Sequence, residues 1–359
     1  MKILVSGYYG FGNLGDEAIL ASIIEGFGGY DKEIKLTVLS QNPEQTSSCH
    51  CIPAINRNKV RETIKALRDC DVFLSGGGGL LQDKTSSRSL LYYLGLIRLA
   101  KLLGKKVYVF AQGIGPIKSR VNQLLLKNTL EKVDLITVRD NNSFIYLNQL
   151  KLKNPKILNT ADATFILEPE EGQPLLEQAG IKKNKQRLIG FSLRNLTKAK
   201  LPVETLAGLA DNLAETLQAK IIFIPCQRST DIEVINQVMN KMTSSAAVIS
   251  REYRPRELLA IITQLDLVVG MRLHCLIFSA LARVPAIGLA YDPKVTSFME
   301  EVSLPCFEIK DLVPTEIVLT AKELLDNSVG IKQSLDFSLR KLQAKARLNF
   351  GMIELMANN

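Results

Sequence analysis

Short runs of apolar and often β-branched residues alternate along the chain with longer stretches in which apolar residues recur at helical spacing. Runs of this kind are typical of strands buried on both faces of a parallel sheet. In the first half they predict the strands Lys2–Ser6, Ile34–Ser40, Val72–Ser75, Val107–Ala111 and Leu135–Val138. The stretches between them predict the helices Asp16–Phe27, Lys59–Asp69, Ser89–Leu103 and Arg120–Lys132. A repeated βα unit predicts a doubly wound α/β domain.

The alternation stops at residues 168–186, where Pro, Gly and Glu and then Lys accumulate, and this composition predicts a linker. It restarts with the predicted strands Leu188–Leu193, Ile221–Pro225, Ala247–Ile249, Leu267–Gly270 and Ala286–Leu289. The helices predicted between these strands are Val203–Leu217, Thr230–Met242, Arg256–Gln264 and His274–Leu281. The sequence therefore predicts an N-terminal Rossmann-like domain (residues 1–167), a C-terminal Rossmann-like domain (187–326) and a helical tail (327–359).

Ligands of doubly wound sheets bind beyond the carboxyl ends of the strands, in the loops that lead into helices. Two such domains facing each other would form a central cleft between two sets of these loops. Candidate chemistry is therefore expected in the strand-to-helix loops of both halves.

The loop Gly7–Glu17 follows the first predicted strand, contains four glycines and opens a helix. Glycines let a backbone approach a ligand closely, and a helix N-terminus favours an anion. Because the glycine spacing departs from G-x-G-x-x-G and no acidic residue follows the second strand, dinucleotide binding is disfavoured. Asp16 either caps the helix or acts as a base toward a sugar hydroxyl.

Two further glycine-rich loops follow later strands, the run Gly76–Gly79 and the segment Gln112–Pro116. Four consecutive glycines cost chain entropy, so they indicate either backbone amides facing a ligand or close packing of a helix on a strand. Arg139 ends the next strand, where it either binds an anionic group or forms an ion pair with Asp140 or Asp162.

In the second half, the segment Gly270–His274 follows a predicted strand and opens a helix. Arg272 offers a bidentate fork for an oxyanion, and His274 adds a titratable donor at the helix N-terminus. The alternative is a helix-capping histidine beside an exposed arginine. Lys294 follows the next strand and Arg194 ends an earlier one, so both are expected at the same edge of the sheet.

Composition narrows the classes of function. The 359 residues are 46% hydrophobic and 23% charged, which is typical of a globular protein, and the absence of Trp excludes a stacking platform built on that residue. The net charge of +9 favours anionic partners, although the basic residues are dispersed and no nucleic-acid recognition motif is present. The spacing in Cys49-His50-Cys51 is wrong for zinc, and six cysteines without a pairing framework indicate a reducing compartment.

No stretch has the length and apolar character of a transmembrane helix, and Met1–Ser6 is too short an apolar run for a signal peptide. The sequence therefore predicts a cytoplasmic protein, with peripheral contact to the inner membrane surface left open.

Taken in order, the motifs Gly12–Asp16, Gly76–Gly79, Gln112–Pro116 and Gly270–His274 resemble those of the polysaccharide pyruvyltransferase family, and in particular its CsaB type. The resemblance covers about residues 1–304. It implies a fold like that of GT-B glycosyltransferases, with a tail that packs back on the first domain. It also implies phosphoenolpyruvate as co-substrate, no cofactor, no metal, and an N-acetylmannosamine residue of a lipid-linked cell-wall polymer precursor as acceptor.

The same resemblance assigns roles by position. Arg272, Leu273 and His274 match the donor-site motif, and we add Arg194 and Lys294 as further donor contacts. The acceptor side is assigned to the first half, through Gly12, Asn13, Asp16, Gly77, Gly78 and Arg139.

The residue chemistry fits this assignment, because a donor with a carboxylate and a phosphate needs several cations. His274 would protonate the donor carbon or stabilise the leaving phosphate, and Asp16 would accept a hydroxyl proton. Two other functions stay open: a GT-B glycosyltransferase with a nucleotide-sugar donor, and a non-catalytic protein that binds anions or glycans.

Overall fold

The computed structural model describes residues 1–30, 33–84, 86–170, 173–181, 186–196, 202–249 and 251–357. Among them, no helix combines the length and the apolar character needed to cross a membrane.

The strands are β1 (Lys2–Ser6), β2 (Lys35–Ser40), β3 (Ala54–Asn56), β4 (Val72–Ser75), β5 (Gly78–Leu81), β6 (Lys106–Ile114), β7 (Leu135–Val138), β8 (Lys156–Asn159), β9 (Arg187–Ser192), β10 (Ala219–Phe223), β11 (Ala246–Val248), β12 (Leu267–Gly270), β13 (Ala286–Ala290) and β14 (Cys306–Glu308). The helices are α1 (Leu14–Tyr30), α2 (Pro43–His50), α3 (Val60–Asp69), α4 (Ser87–Leu102), α5 (Arg120–Leu130), α6 (Asn141–Leu150), α7 (Gln173–Gln178), α8 (Val203–Thr216), α9 (Arg228–Met239), α10 (Pro255–Ile262), α11 (Leu273–Leu281), α12 (Pro293–Glu301), α13 (Pro314–Asp326), α14 (Ser328–Gly351) and α15 (Glu354–Ala357). Short 3₁₀ segments follow β8 and β14.

The chain divides into two compact units, residues 1–167 with 342–359, and residues 168–341. The first unit holds a parallel sheet in the order β3-β2-β1-β4-β6-β7-β8, with the short β5 pairing to β6. Apolar residues of α1 pack on one face of this sheet, and those of α3, α4, α5 and α6 pack on the other. The strand order reverses between β1 and β4, and this reversal is where a doubly wound sheet binds its ligand.

The C-terminal end of α14 belongs to the first unit. Phe350 packs edge-on against Phe27 and Phe110, with ring centroids 5.2 and 5.3 Å apart. Asn349 accepts a hydrogen bond from Thr160 at 2.7 Å and donates one to the Ala161 carbonyl at 3.0 Å. The predicted tail is therefore shared between the two units, and its last residues complete the core of the first.

The second unit holds a parallel sheet in the order β11-β10-β9-β12-β13-β14, with its reversal between β9 and β12. The predicted linker contains α7, whose following residues Ala179 and Ile181 are buried with Leu176. This part of the predicted linker is thus a folded part of the second unit, while its residues 171–172 and 182–185 lie outside the described residues. The predicted fold class, parallel α/β with two Rossmann-like domains of the GT-B kind, is confirmed.

Candidate functional site

The glycine-rich loop after β1 is held by its own polar residues. The side chain of Asn13 accepts a hydrogen bond from the Gly15 amide at 3.0 Å, so Asn13 caps α1 and Asp16 lies in the first turn. Glu17 accepts from the Gly10 amide at 2.8 Å and lies 3.2 Å from His50 Nε2. Gly12 has φ +66°, a conformation that favours glycine. The helix-capping role left open for Asp16 is therefore taken by Asn13.

Buried hydroxyls meet at the strand-order reversal of the first sheet. Ser6 and Ser75 end β1 and β4 and pair in register, and a β-carbon at Gly76 would collide with the hydroxyl of Tyr9. The hydroxyls of Ser6, Ser75 and Tyr9 are buried and make no hydrogen bond within the described part of the chain. Burial, followed by the charges of Asp16 and Glu17, holds the pKa of Tyr9 well above its ordinary value, so this hydroxyl is a neutral donor.

Asp16 lies beside the second glycine loop. A β-carbon at Gly78, which has φ +93°, would lie 3.1 Å from Asp16 Oδ1. A β-carbon at Gly77 would instead lie 3.0 Å from Cγ2 of Ile19. Gly77 is thus explained by close packing of α1 on the loop, whereas Gly78 brings the backbone to the Asp16 carboxylate.

Arg139 is buried and committed to a carboxylate. Its Nη1 donates to Asp162 at 2.8 Å, and its Nε lies 3.8 Å from Asp140. Burial disfavours the charged guanidinium, but Asp162, Asp140 and Asp16 more than offset this, so the pKa of Arg139 lies above its ordinary value. Of the two alternatives drawn from the sequence, the ion pair with Asp162 is the one that forms. A β-carbon at Gly113 would lie 3.0 Å from Arg139 Nε, so Arg139 lies close to the backbone of that loop.

A cluster of aromatic rings around Arg57 extends this site and was missed from the sequence. The guanidinium carbon of Arg57 lies 4.3 Å from the ring centroid of Tyr92 and 5.3 Å from that of Phe11. Phe11 stacks on Tyr8 at 4.0 Å, and Arg57 Nη1 donates to the Tyr93 hydroxyl at 3.4 Å. Burial raises the pKa of Tyr93 to about 12 against the opposing charge of Arg57. Within the described ranges, no carboxylate pairs with Arg57.

In the second unit, Arg272 forms a buried two-point ion pair. It occupies the N-cap position of α11, and its Nε donates to Asp231 Oδ2 at 3.1 Å while its Nη2 contacts Asp231 Oδ1. Nη2 also donates to Thr230 at 3.3 Å. The expectation that Arg272 offers an open fork to an anion is therefore corrected, because Asp231 already occupies that fork. Asp231 lies in the first turn of α9, which follows β10. No local pattern in the sequence identified Asp231 as the partner of Arg272.

The remaining predicted cations gather around Tyr291, at the end of β13. Arg194 Nη1 donates to the Tyr291 hydroxyl at 2.7 Å, with its guanidinium carbon 5.1 Å from the ring centroid. The ammonium group of Lys294 lies 6.0 Å from the same centroid. Burial disfavours the charge on Arg272, but Asp231 more than offsets this, so the pKa of Arg272 lies above its ordinary value. Tyr291, which sequence reasoning missed, thus lies beside two predicted cations, Arg194 and Lys294.

His274 and Leu273 belong to the first turn of α11. Leu273 is buried and serves packing, whereas His274 is half-buried with its Nε2 atom inaccessible to solvent. Elsewhere in this unit, the Cys226 thiol lies 3.3 Å from the hydroxyl of Ser192, the last residue of β9.

The predicted site residues differ between the two units, although neither unit holds charges of one sign only. Arg194 follows β9, and His274 and Lys294 lie in the first turns of α11 and α12, with the carboxylate of Asp231 nearby in the same unit. Asp16 lies in the first turn of α1, in the unit that also contains Arg139. Within the described part of the chain, no group of three His, Cys, Asp or Glu side chains could hold a metal ion. Of the Cys49-His50-Cys51 run, His50 instead supports the first glycine loop through Glu17.

The sequence of the chain is similar to one known protein family and to a characterised relative. The sequence model described as polysaccharide pyruvyl transferase matches residues 13–293. The chain is 21% identical to the amylovoran biosynthesis protein AmsJ of Erwinia amylovora, covering 93% of this chain and 94% of that protein.

Solved structures share the fold at low identity. A UDP-GlcNAc 2-epimerase from Neisseria meningitidis, bound to UDP-GlcNAc, superposes with a TM-score of 0.65 at 12% identity, over 100% of both chains. A glycosyltransferase from Rickettsia africae superposes with a TM-score of 0.66 at 12% identity, over 100% of this chain and 99% of that one. These likenesses extend to the fold and no further.

Proposed function

The chain belongs to the polysaccharide pyruvyl transferase family, and on that premise we propose that it moves a pyruvyl group from phosphoenolpyruvate onto an N-acetylmannosamine residue. The acceptor is a lipid-linked precursor of a cell-wall polysaccharide in the cytoplasm, and the product is a cyclic ketal, as in the CsaB type. The observation that supports the donor assignment is the placement of Arg194 and Lys294 around Tyr291.

The donor is matched by charge. Phosphoenolpyruvate carries a carboxylate and a phosphate on one small carbon skeleton, so both anionic groups need cations within reach. Arg194 and Lys294 supply the direct contacts. Arg272, held by Asp231, contributes a fixed positive charge and orients the first turn of α11, so in our proposal it positions the donor site.

The reaction needs one proton at carbon and loses two from the sugar. His274 in its protonated form donates a proton to the methylene carbon, which becomes the methyl group and leaves an oxocarbenium-like centre. One sugar hydroxyl adds to that centre, phosphate departs with the bridging oxygen, and the second hydroxyl adds to close the ketal. One hydroxyl proton restores His274. The other passes to Asp16 and from there through solvent to the departing phosphate, so both residues return to their starting states and the net products are the ketal and hydrogen phosphate.

The acceptor is assigned to the first unit. Asp16, beside the backbone of Gly78, supplies the base. The stacked rings of Tyr8 and Phe11 offer the apolar surface that a sugar ring packs on, in a chain without Trp. Gly12 and Asn13 shape the loop that carries them.

The test is a direct assay with the purified full chain. We expect phosphate release and a product with the mass of a pyruvyl ketal when phosphoenolpyruvate meets an N-acetylmannosamine glycoside. Folded protein that gives neither product would overturn the proposal.

Two control reactions separate the alternatives. Turnover of UDP-N-acetylglucosamine in place of phosphoenolpyruvate would identify a glycosyltransferase. Equal binding of phosphoenolpyruvate by wild type and H274A, with no turnover in either, would identify a non-catalytic binding protein.

A further inference from the structure

The positive charge of the chain is concentrated in one segment. Residues 84–130 contain nine of the 45 basic residues and none of the 36 acidic ones. The other 36 basic residues therefore balance the 36 acidic residues, and the entire net charge of +9 comes from this segment. The segment includes α4 and α5, which lie on the same face of the first sheet.

Part of this charge is used inside the fold. Arg98 donates to Thr129 at 2.8 Å, and Lys101 pairs with Asp134 at 2.8 Å. Lys105 and Lys106 donate to backbone carbonyls. Four other basic residues are exposed and pair with no carboxylate within the described ranges: Arg88, Lys118, Arg120 and Lys127.

Large aliphatic side chains stand among these four cations. Leu91 is 47% exposed on α4, and Val121 and Leu124 are 66% and 59% exposed on α5. Asn122 donates to Ser87 at 3.2 Å, so the first turns of the two helices lie side by side and the exposed residues form one surface. We call this surface the α4–α5 face; it consists of Arg88, Leu91, Lys118, Arg120, Val121, Leu124 and Lys127.

We propose that the α4–α5 face docks on an anionic lipid surface. Interleaved basic and aliphatic side chains suit the boundary between headgroups and acyl chains, because the cations meet lipid phosphates while the aliphatic groups leave water. A hydrated polyanion such as a nucleic acid would satisfy the cations alone. The surface carries no ring for base stacking, so the exposed Leu91, Val121 and Leu124 favour lipid.

Two other exposed apolar residues of the same protein lie on helices that carry acidic as well as basic residues. Leu319 and Phe337, on α13 and α14, are 63% and 79% exposed. Acidic residues flank them on the same helices, among them Glu316, Glu323 and Asp336. Such a surface would be repelled by anionic lipid as much as attracted, and it serves as the internal control.

Docking through this face would bring the acceptor loops to the lipid. Helices of a βαβ unit run opposite to their strands, so α4 and α5 begin at the carboxyl edge of the sheet, the edge that carries the glycine loops. The inference goes beyond the proposed function, since it concerns where the protein sits and requires no turnover.

The experiment is co-sedimentation of the full chain with vesicles of phosphatidylcholine alone and with vesicles of equal parts phosphatidylcholine and phosphatidylglycerol. We expect binding to the anionic vesicles only, and its loss at high salt. The variant R88Q/K118Q/R120Q/K127Q should weaken binding roughly 600-fold, since each of the four basic residues contributes about five-fold. The variant L91Q/V121Q/L124Q should weaken it roughly ten-fold with the charge unchanged.

The matched control K322Q/K332Q/R340Q/K341Q removes the same charge from α13 and α14 and should weaken binding far less. Both α4–α5 variants should keep wild-type thermal stability and wild-type turnover of a soluble acceptor. Equal binding to both vesicle types, or equal losses in the α4–α5 and control variants, would overturn the proposal. Loss in the charge variant with none in the L91Q/V121Q/L124Q variant would identify a soluble polyanion as the occupant instead.

Discussion

The two Rossmann-like units carry different predicted site residues at the same edge of their sheets. In the first unit, the loops at the strand-order reversal offer a carboxylate, Asp16, with buried hydroxyls and glycine backbone. In the second unit, the equivalent loops offer Arg194 and His274, with Lys294 one strand further along. In the proposed function, the first of these sites binds sugar hydroxyl groups and the second binds the anionic donor. The chemistry resides in the loops rather than in the sheet.

Both units also contain a buried arginine–aspartate pair, and the two pairs are built alike. Arg139 follows β7 and pairs with Asp162, and Arg272 follows β12 and pairs with Asp231. An arginine at a strand's carboxyl end looks from the sequence like a ligand contact, and in both cases its partner lies within the protein. A buried ion pair adds little net stability but holds its two segments in a fixed position. Such pairs therefore suit loops that carry the candidate site residues.

The largest expected effect tests whether the histidine of the second unit does chemistry. H274N should lower kcat roughly 100- to 10,000-fold and leave KM for phosphoenolpyruvate nearly unchanged, because only proton transfer in the transition state is removed. Steady-state phosphate release measures both constants. H50Q, at the histidine of the first unit, should change kcat by only a few-fold. If H274N keeps the wild-type kcat, His274 is not the acid that protonates the donor carbon.

The two buried pairs give the next largest effect. D162N and D231N each remove the hydrogen-bonded carboxylate of a buried guanidinium, which costs up to about 3 to 5 kcal/mol of folding free energy. Asp140, 3.8 Å from Arg139, stays in place in D162N. Urea unfolding of both variants measures the loss. If the pairs have the same role, the two losses agree to within about 1 kcal/mol. If only one variant loses folding free energy, the two arginine–aspartate pairs share a geometry but not a role in stability.

Much of the fold could be predicted because the strands are buried on both faces. Continuous apolar runs gave Lys2–Ser6, Val72–Ser75, Leu135–Val138 and Leu267–Gly270 to the residue. The sequence predicted no helix at α2 or α12, each of which begins with a proline, Pro43 or Pro293. Each proline in fact stands at the first helical position after a capping Asn42 or Asp292, where its missing amide costs nothing.

The site was predictable only to the level of loops. Strand ends showed which loops share an edge, and this correctly gathered Arg194 and Lys294 at one edge. Which carboxylate Arg272 meets depends on side-chain packing between residues 41 positions apart, which local patterns do not encode. Arg57 was missed for the same reason, since its aromatic neighbours come from the first glycine loop and from α4.

The donor contacts give a smaller effect. R194A should raise KM for phosphoenolpyruvate roughly ten- to a hundred-fold with little change in kcat, because a charge-assisted hydrogen bond to the donor contributes about 1.5 to 3 kcal/mol. Y291F, which keeps the ring and removes the hydroxyl that holds Arg194, should raise KM only a few-fold. An unchanged KM in R194A would show that phosphoenolpyruvate does not bind beside Tyr291, and the second unit would then lose its assignment as the donor site.

The smallest effect compares one surface carboxylate from each unit. Asp83 accepts from the Lys118 and Ser119 amides at 2.8 and 3.1 Å, and Asp211 accepts from the Thr243 and Ser244 amides at 2.9 Å each. Partial burial raises the pKa of each carboxyl, but these hydrogen bonds more than offset it, so both pKa values lie below the ordinary one.

A carboxyl with a depressed folded pKa stabilises the fold above its unfolded pKa of about 3.9, and this contribution disappears as the pH falls through the lower folded value. D83N and D211N should therefore be less stable than wild type at neutral pH, and the difference should shrink in acid. Urea unfolding at neutral and acidic pH measures it. If the difference in unfolding free energy between variant and wild type does not change with pH, the charge of the two carboxylates does not contribute to stability. If it changes with pH in only one variant, the two units hold their loops by different interactions.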